Sequence, residues 1–273
     1  MSPALLVTQP DGSTVHAPAG TEPASARAAR RTVRSGGMCG RYTSTTPMPA
    51  VAAYFAVDDV VADERGPRWN VAPTDEVLAV AATGAGRRLG WLRWGLVPSW
   101  APDPSTGNRM INARAETLVD KAAFRTYFAR RRCIIPADGF YEWRDGQAWY
   151  LHRRDGGLLA FAGLWASWRR GDRRVTSCTI ITTTANPVVA PVHDRMPVVL
   201  HASDWTEWLD PEDDDVAALS RLLVPADDDV VVRRPVGRAV GNVANDGPDL
   251  VAPVGPEVSG RAPAAPIGLG AEA

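Results

Sequence analysis

Cysteine is scarce in this chain. Cys39, Cys133 and Cys178 are the three cysteines among 273 residues and form no CxxC pair, so their spacing offers neither a disulfide framework nor a zinc site. A reducing cytoplasm fits that usage. Lysine is scarcer still: Lys121 is the one lysine among 30 basic residues. The arginine excess suits phosphate contacts and equally reflects genomic base composition. No stretch reaches the roughly 18 consecutive apolar residues of a membrane-spanning helix, because Arg, Asp or Pro interrupts each candidate, and no membrane partner is expected. There is no metal-ligand cluster and no phosphate-cradling glycine loop, so no cofactor and no metal are expected. Internal repeats are missing too. The formal net charge is −1, which leaves any attraction to nucleic acid to local placement of positive charge.

What is present is 45% hydrophobic content, enough to bury a substantial core. Residues 1–37 are rich in Ala, Ser, Thr, Pro, Gly and Arg without periodicity and read as a disordered N-terminal extension. They lack the apolar segment of a secretory signal, and Asp11 and Glu22 argue against a transit peptide, so a misplaced start or a removed leader is expected. Residues 257–273 read as a disordered tail. Between the two, 38–256 reads as one β-rich α+β domain. Strands are expected around Val77–Val80, Leu89–Leu96, Cys133–Ile135, Ala148–His152, Leu158–Phe161 and Thr179–Thr183. Helices are expected through Leu118, Ala122, Phe124 and Phe128, after a Ser203-Asp204 cap, and from Val216 to Leu223 behind Asp213 to Asp215.

Some segments do not read as ordinary core, because they set polar or reactive side chains beside Gly, Pro or Trp. They are Met38-Cys39-Gly40-Arg41-Tyr42; Trp69-Asn70-Val71-Ala72-Pro73-Thr74 with Arg93-Trp94-Gly95-Leu96-Val97-Pro98-Ser99-Trp100; Met110-Ile111-Asn112-Ala113-Arg114-Ala115-Glu116-Thr117; Pro136-Ala137-Asp138-Gly139-Phe140-Tyr141-Glu142-Trp143; and Ala190-Pro191-Val192-His193-Asp194-Arg195-Met196-Pro197. In this order they closely resemble the SOS response-associated peptidase (SRAP) family, from Met38 to about Leu250. The resemblance implies a single α+β domain with a β-barrel-like core of mixed sheets flanked by a few helices. It also implies a groove for single-stranded DNA carrying abasic sites, and a working cysteine directly after the initiator methionine, here Cys39.

The resemblance further implies that Cys39 acts as the mature N-terminus. An abasic deoxyribose opens to an aldehyde, and an N-terminal cysteine offers an amine and a thiol that attack the same carbon to close a thiazolidine. A free α-amine, with an ordinary pKa near 7.7–8.0, is partly neutral at physiological pH, whereas an attached prefix would leave an unreactive amide. By the same resemblance Glu142 is the general acid/base, and His193 holds and protonates the sugar oxygen. Asn112 orients the amine or the sugar, although an Asn in that position equally makes a turn or a helix cap. Arg41, Arg114 and Arg195 are expected to clamp phosphates, Trp94 and Pro73 to form an apolar wall on which a base stacks, and Asn70 to lie beside the groove. Trp143, Trp165 and Trp205 are assigned to packing, and Cys133 and Cys178 to the interior as inert thiols.

Two other functions fit the same residues. One is a cysteine peptidase limited mainly to autoprocessing, with Cys39 as nucleophile; the other is a non-catalytic reader of single-stranded or modified DNA. Lyase activity at the same aldehyde needs similar groups. A monomer is expected, with the replication machinery as a further partner near the nucleoid.

Overall fold

The computed structural model describes residues 40–260 and the backbone of two short strands, β1 (Leu6–Thr8) and β2 (Thr14–His16), which pair antiparallel within an N-terminal unit. The rest of the expected disordered extension, Cys39 itself and residues 261–273 of the expected tail lie outside the described residues. In chain order there follow β3 (Tyr42–Ser44), α1 (Met48–Tyr54), β4 (Asp59–Val60), β5 (Arg68–Val71), β6 (Glu76–Thr83), β7 (Gly86–Trp94) and β8 (Asn112–Arg114). Next come α2 (Ala122–Arg130), β9 (Arg132–Ala137), β10 (Gly139–Arg144), β11 (Gln147–Arg153), β12 (Leu159–Arg170) and β13 (Arg173–Thr184). The order ends with β14 (Arg195–Pro197), α3 (Trp205–Leu209), α4 (Val216–Arg221), β15 (Val231–Val236) and β16 (Val258–Ser259).

The barrel core expected from the resemblance is formed by β13, β12, β9, β6 and β7 in antiparallel sequence, closed where β7 runs parallel to β13 at Ser177↔Arg93 and Cys178↔Trp94. Closure removes two open strand edges, and the strands read as near-continuous apolar runs because both faces are covered. Along β12, Ala160, Ala162, Leu164 and Ala166 turn to a cluster shared with the helices, through Phe124, Phe128, Trp208 and Leu219. The alternate residues Leu159 and Phe161 turn to a second cluster shared with Tyr42, Val71, Phe140 and Leu151 of the other sheet. That sheet runs β16-β15-β11-β10-β3-β5. Gly163 permits the close approach between β12 and β9: a Cβ there would stand 2.7 Å from Ile135 Cδ1 and 3.1 Å from Cys133 Sγ. The pairing of β16 with β15 carries the sheet beyond residue 256, the expected end of the domain.

The strand readings all correspond to observed strands, with longer bounds at β12 and β13. The helix expected through Leu118 and Phe128 is divided: a 3₁₀ turn at Ala115–Thr117 delivers Leu118 into the core, and α2 begins afresh at Ala122. Ahead of α3, Asp204 is already helical and makes no capping bond, because a 3₁₀ turn at Ala202–Asp204 feeds straight into it. Asp215 does cap α4, accepting from the amides of Ala217 and Ala218 at 2.9 and 3.0 Å. Arg132, 3% exposed, has no carboxylate partner among the described residues. It donates instead to the carbonyls of Phe128, Ala129, Trp208, Asp210 and Asp213, satisfying helix-end acceptors that would otherwise be buried unpaired. No helix among the described residues is long and apolar enough to cross a membrane.

Candidate active site

The residues singled out by sequence arrive from two directions. From the six-stranded sheet, β3 pairs antiparallel with β10 through Gly139↔Thr43 and Phe140↔Tyr42, and the Tyr141 amide donates to the Arg41 carbonyl at 3.0 Å. Continuing that register sets Glu142 beside Gly40, the residue that follows Cys39 in the chain. Glu142 is 3% exposed, an unusual setting for a carboxyl group, since burial disfavours its charged form.

From the barrel, β8 runs parallel to β13, with Asn112 opposite Ile180 and Arg114 opposite Thr182. The next turn of chain returns to the same strand end through β14, where Arg195 pairs with Thr184. Asn112, Arg114, His193 and Arg195 are thereby gathered at one end of β13. Trp94 joins the two groups. Its ring lies 5.4 Å from that of Tyr42 in an edge-on arrangement, and its indole N–H donates to the Ile111 carbonyl at 2.9 Å, next to Asn112.

His193 is partly exposed, and its Nδ1 accepts the Arg195 backbone N–H at 3.0 Å. The neutral ring therefore carries its proton on Nε2, the nitrogen left available to a ligand. Asp194 Oδ1 stands 3.1 Å from Nδ1.

Three expectations require correction. Trp94 is 1% exposed and inside the core, so its face is closed to a base; it spaces the site's two halves. Arg41 is 9% exposed, and its Nη1 donates to Asn70 Oδ1 at 3.0 Å and to the Val240 carbonyl at 2.9 Å. The guanidinium is turned inward, and burial lowers its pKa. Asn70, 1% exposed, commits its amide to the carbonyls of Val240, Asn242 and Asn245; it is a buried tie and not a groove wall. These three belong to the frame.

Arg114 is exposed and makes no ion pair among the described residues. Pro73 is half-buried in the turn between β5 and β6, where Thr74 takes a left-handed φ of 82° and its amide donates to the Trp94 carbonyl at 2.9 Å. That conformation is costly for a β-branched residue and is held by the surrounding bonds. Trp143, Trp165 and Trp205 pack against the core clusters. Cys133 and Cys178 are fully buried and free, their thiol pKa values pushed up by burial, which makes them poor nucleophiles.

Two residues escaped the sequence reading. Glu116 grips Arg195 bidentately at 2.5 and 2.9 Å, and that contact holds its carboxyl below the usual range. Trp100 is 62% exposed and is the tryptophan whose face is open; its signal was the Pro-Ser pair before it, which halts the apolar run. A cavity of about 710 Å³ lined by Tyr42, Ser44, Arg65, Val77 and Trp91 includes none of Asn112, Glu142 or His193. No group of three or more His, Cys, Asp or Glu among the described residues could hold a metal ion.

A small closed barrel, a second sheet packed against it and a few short helices define an α+β class of proteins. The SOS response associated peptidase (SRAP) family matches residues 38–243, and the chain belongs to it. It is 41% identical over 221 residues to the abasic site processing protein YoqW of Bacillus subtilis, covering 78% of this chain and 99% of the relative. It is 33% identical over 231 residues to the abasic site processing protein YedK of Escherichia coli, covering 80% and 100%. Among solved structures, a protein from Bacteroides thetaiotaomicron superposes with a TM-score of 0.67 at 23% identity, covering 78% of this chain and 98% of that one. That last likeness shows the fold.

Proposed function

We propose that the chain processes abasic sites in single-stranded DNA by covalent capture, with Cys39 as its mature N-terminal residue. The observation that carries this reading is the buried Glu142 set by strand register next to Gly40, one residue from Cys39. The names of the relatives, and a family match that begins at residue 38, support it.

In the proposed reaction the neutral α-amine of Cys39 attacks C1′ of the ring-opened sugar. The carbinolamine loses water to give an imine, and the thiolate adds to the same carbon while the nitrogen regains a proton. The product is a five-membered thiazolidine, and the net change is the loss of one water. Glu142 takes the proton released by the attacking nitrogen and returns it to the departing oxygen. His193 offers its Nε2–H to the sugar oxygen, and Asn112 orients the amine. Arg114 binds a flanking phosphate. Residues 1–38 must be absent from the working protein, since an amide nitrogen cannot form the imine.

Intact-protein mass spectrometry tests this directly. Chains expressed from Met1 and from Met38 are incubated with a single-stranded oligonucleotide holding one abasic site. The expected result is Cys39 at the mature N-terminus and an adduct equal to DNA minus water that survives denaturation and is abolished by Cys39→Ser. Binding without adduct from both chains would overturn capture and leave a DNA reader.

A further inference from the structure

The β12–β13 hairpin ends in Trp168-Arg169-Arg170-Gly171-Asp172-Arg173-Arg174-Val175. Its register sets Arg169 opposite Arg174 and Arg170 opposite Arg173. Like charges directly opposite one another destabilise a sheet, yet all four arginines are exposed and none is in an ion pair among the described residues. Acidic company is thin. Asp172 sits in the turn, and Asp103 is held low first by the Ser105 hydrogen bonds and only last by Arg173.

The tip is also firmly mounted. Trp168 is 1% exposed, donates its indole N–H to the Ala101 carbonyl at 2.8 Å, and packs with Val97, Ala101 and Val175 in a small core of its own. The Arg173 guanidinium lies 6.0 Å from the Trp168 ring. Seven residue steps along β13 separate Arg173 from Ile180, the partner of Asn112, a span of about 23 Å at about 3.3 Å per residue. These charges therefore lie too far away to serve the reacting sugar. The loop packed on the tip through Ala101 also carries the exposed Trp100, one residue earlier in the chain.

We propose that this hairpin tip is an outlying docking site for the phosphate backbone of the single strand, engaging it several nucleotides from the captured sugar. The inference rests on the reading that single-stranded DNA is the partner. Four guanidinium forks at a rigid edge match phosphates without reading sequence. They extend the footprint to one side of the lesion, in a protein whose net charge of −1 supplies no general attraction.

The test is fluorescence anisotropy on undamaged single strands of about 4 and about 30 nucleotides, the shorter at the lower end of ordinary single-strand site sizes, across a salt series. The quadruple variant Arg169→Ser/Arg170→Ser/Arg173→Ser/Arg174→Ser is expected to bind the longer strand about tenfold more weakly at low salt. Its slope of log affinity against log salt should fall by about 3, from about 0.7 per phosphate contact. Binding of the shorter strand, and adduct formation on a short abasic strand at saturating protein, should stay within about twofold of the parent, the spread of ordinary surface substitutions. The matching Arg→Lys quadruple keeps the charge and should keep the slope. Equal losses on both lengths, or no loss on the longer one, would overturn the inference. A hairpin-dependent slope in a protein that forms no adduct would sustain the docking site while refuting capture; an adduct without length dependence would do the reverse.

Discussion

Replacing Asn70 by alanine should both loosen the fold and slow capture, although the side chain touches no reacting group. Asn70 accepts from Arg41 Nη1 at 3.0 Å and donates at 3.2, 3.0 and 2.8 Å to the carbonyls of Val240, Asn242 and Asn245. Alanine removes all of these, but the losses are unequal. Residues 242 and 245 are exposed, so water can replace the amide at their carbonyls, and Val240 keeps its direct bond from Arg41. The unrecovered part is the charge-assisted bond in a site where Arg41 is 9% and Asn70 1% exposed, about 1.5–3 kcal/mol, with about 0.5–1 kcal/mol from one neutral bond. The sum, about 2–4 kcal/mol, corresponds to a fall in Tm of about 4–16 °C for a chain of this size. Differential scanning fluorimetry on Asn70→Ala, Arg41→Ala and the double variant measures it, and the cycle should return a coupling of about 1 kcal/mol or more. Adduct formation should slow in step, because the Arg41 carbonyl anchors the Tyr141 amide and the strand leading back to Cys39. A melting point within about 1 °C of the parent, or strict additivity of the two substitutions, would refute the tie.

Glu142→Gln keeps the shape of the group and removes its proton transfer, so adduct formation should slow by about 10²–10⁴ with little change in DNA affinity, measured in a quenched time course. Tyr150 is 6% exposed and its phenol is pushed up to about 12 by burial, against the opposing effect of its 2.9 Å bond with the Thr43 hydroxyl. The raised value makes its stabilising contribution complete below the ordinary pKa of about 10 and lost as pH rises through about 12. Urea unfolding from about pH 9 to about pH 12 should show that decline, and Tyr150→Phe should make it shallower, the buried phenols of Tyr42 and Tyr141 keeping the rest. Asp215→Ala removes the cap of α4 and should cost about 1 kcal/mol, visible as a fall in Tm of about 2–4 °C.

Much of this architecture was legible in the chain before the structure, for identifiable reasons. The barrel strands are buried on both faces, so they read as apolar runs bounded by turn residues, and α4 announced its start through Asp215. The candidate site residues stood out as polar groups set where packing favours aliphatics, and the ordered motifs are what suggest roles for Asn112, Glu142 and His193. Inward or outward direction was not legible. Arg41 and Trp94 stand in motif segments with the same composition as truly exposed ones, and only the pairing of β3 with β10 and the parallel closure of β7 on β13 turn them inside. Trp94 and Trp100 differ by six positions in one segment, yet one is 1% and the other 62% exposed, because the chain leaves β7 at Gly95, whose φ of 124° no other residue adopts readily. The split of the expected Leu118–Phe128 helix was equally hidden, since the spacing of its apolar residues is satisfied by a 3₁₀ turn and a separate helix.

The inward direction of Arg41 bears on how a terminal residue can act as a nucleophile at all. Chain ends are ordinarily the least ordered part of a domain, while covalent chemistry needs the attacking atoms held within about 0.5 Å of their productive position. A mobile terminus could reach an aldehyde but would lose most of the advantage of orientation. Here the two residues after Gly40 are fixed from several sides. The Arg41 carbonyl is bonded to Tyr141, its guanidinium to Asn70 and Val240, and Tyr42 is wedged against Trp94 and Phe161 at ring distances of 5.4 and 6.2 Å. In the proposed capture Arg41 acts from inside the frame: it makes β3 a rigid mount for the terminal amine and thiol, and phosphate binding is left to Arg114 and the hairpin tip, where the guanidinium groups face water.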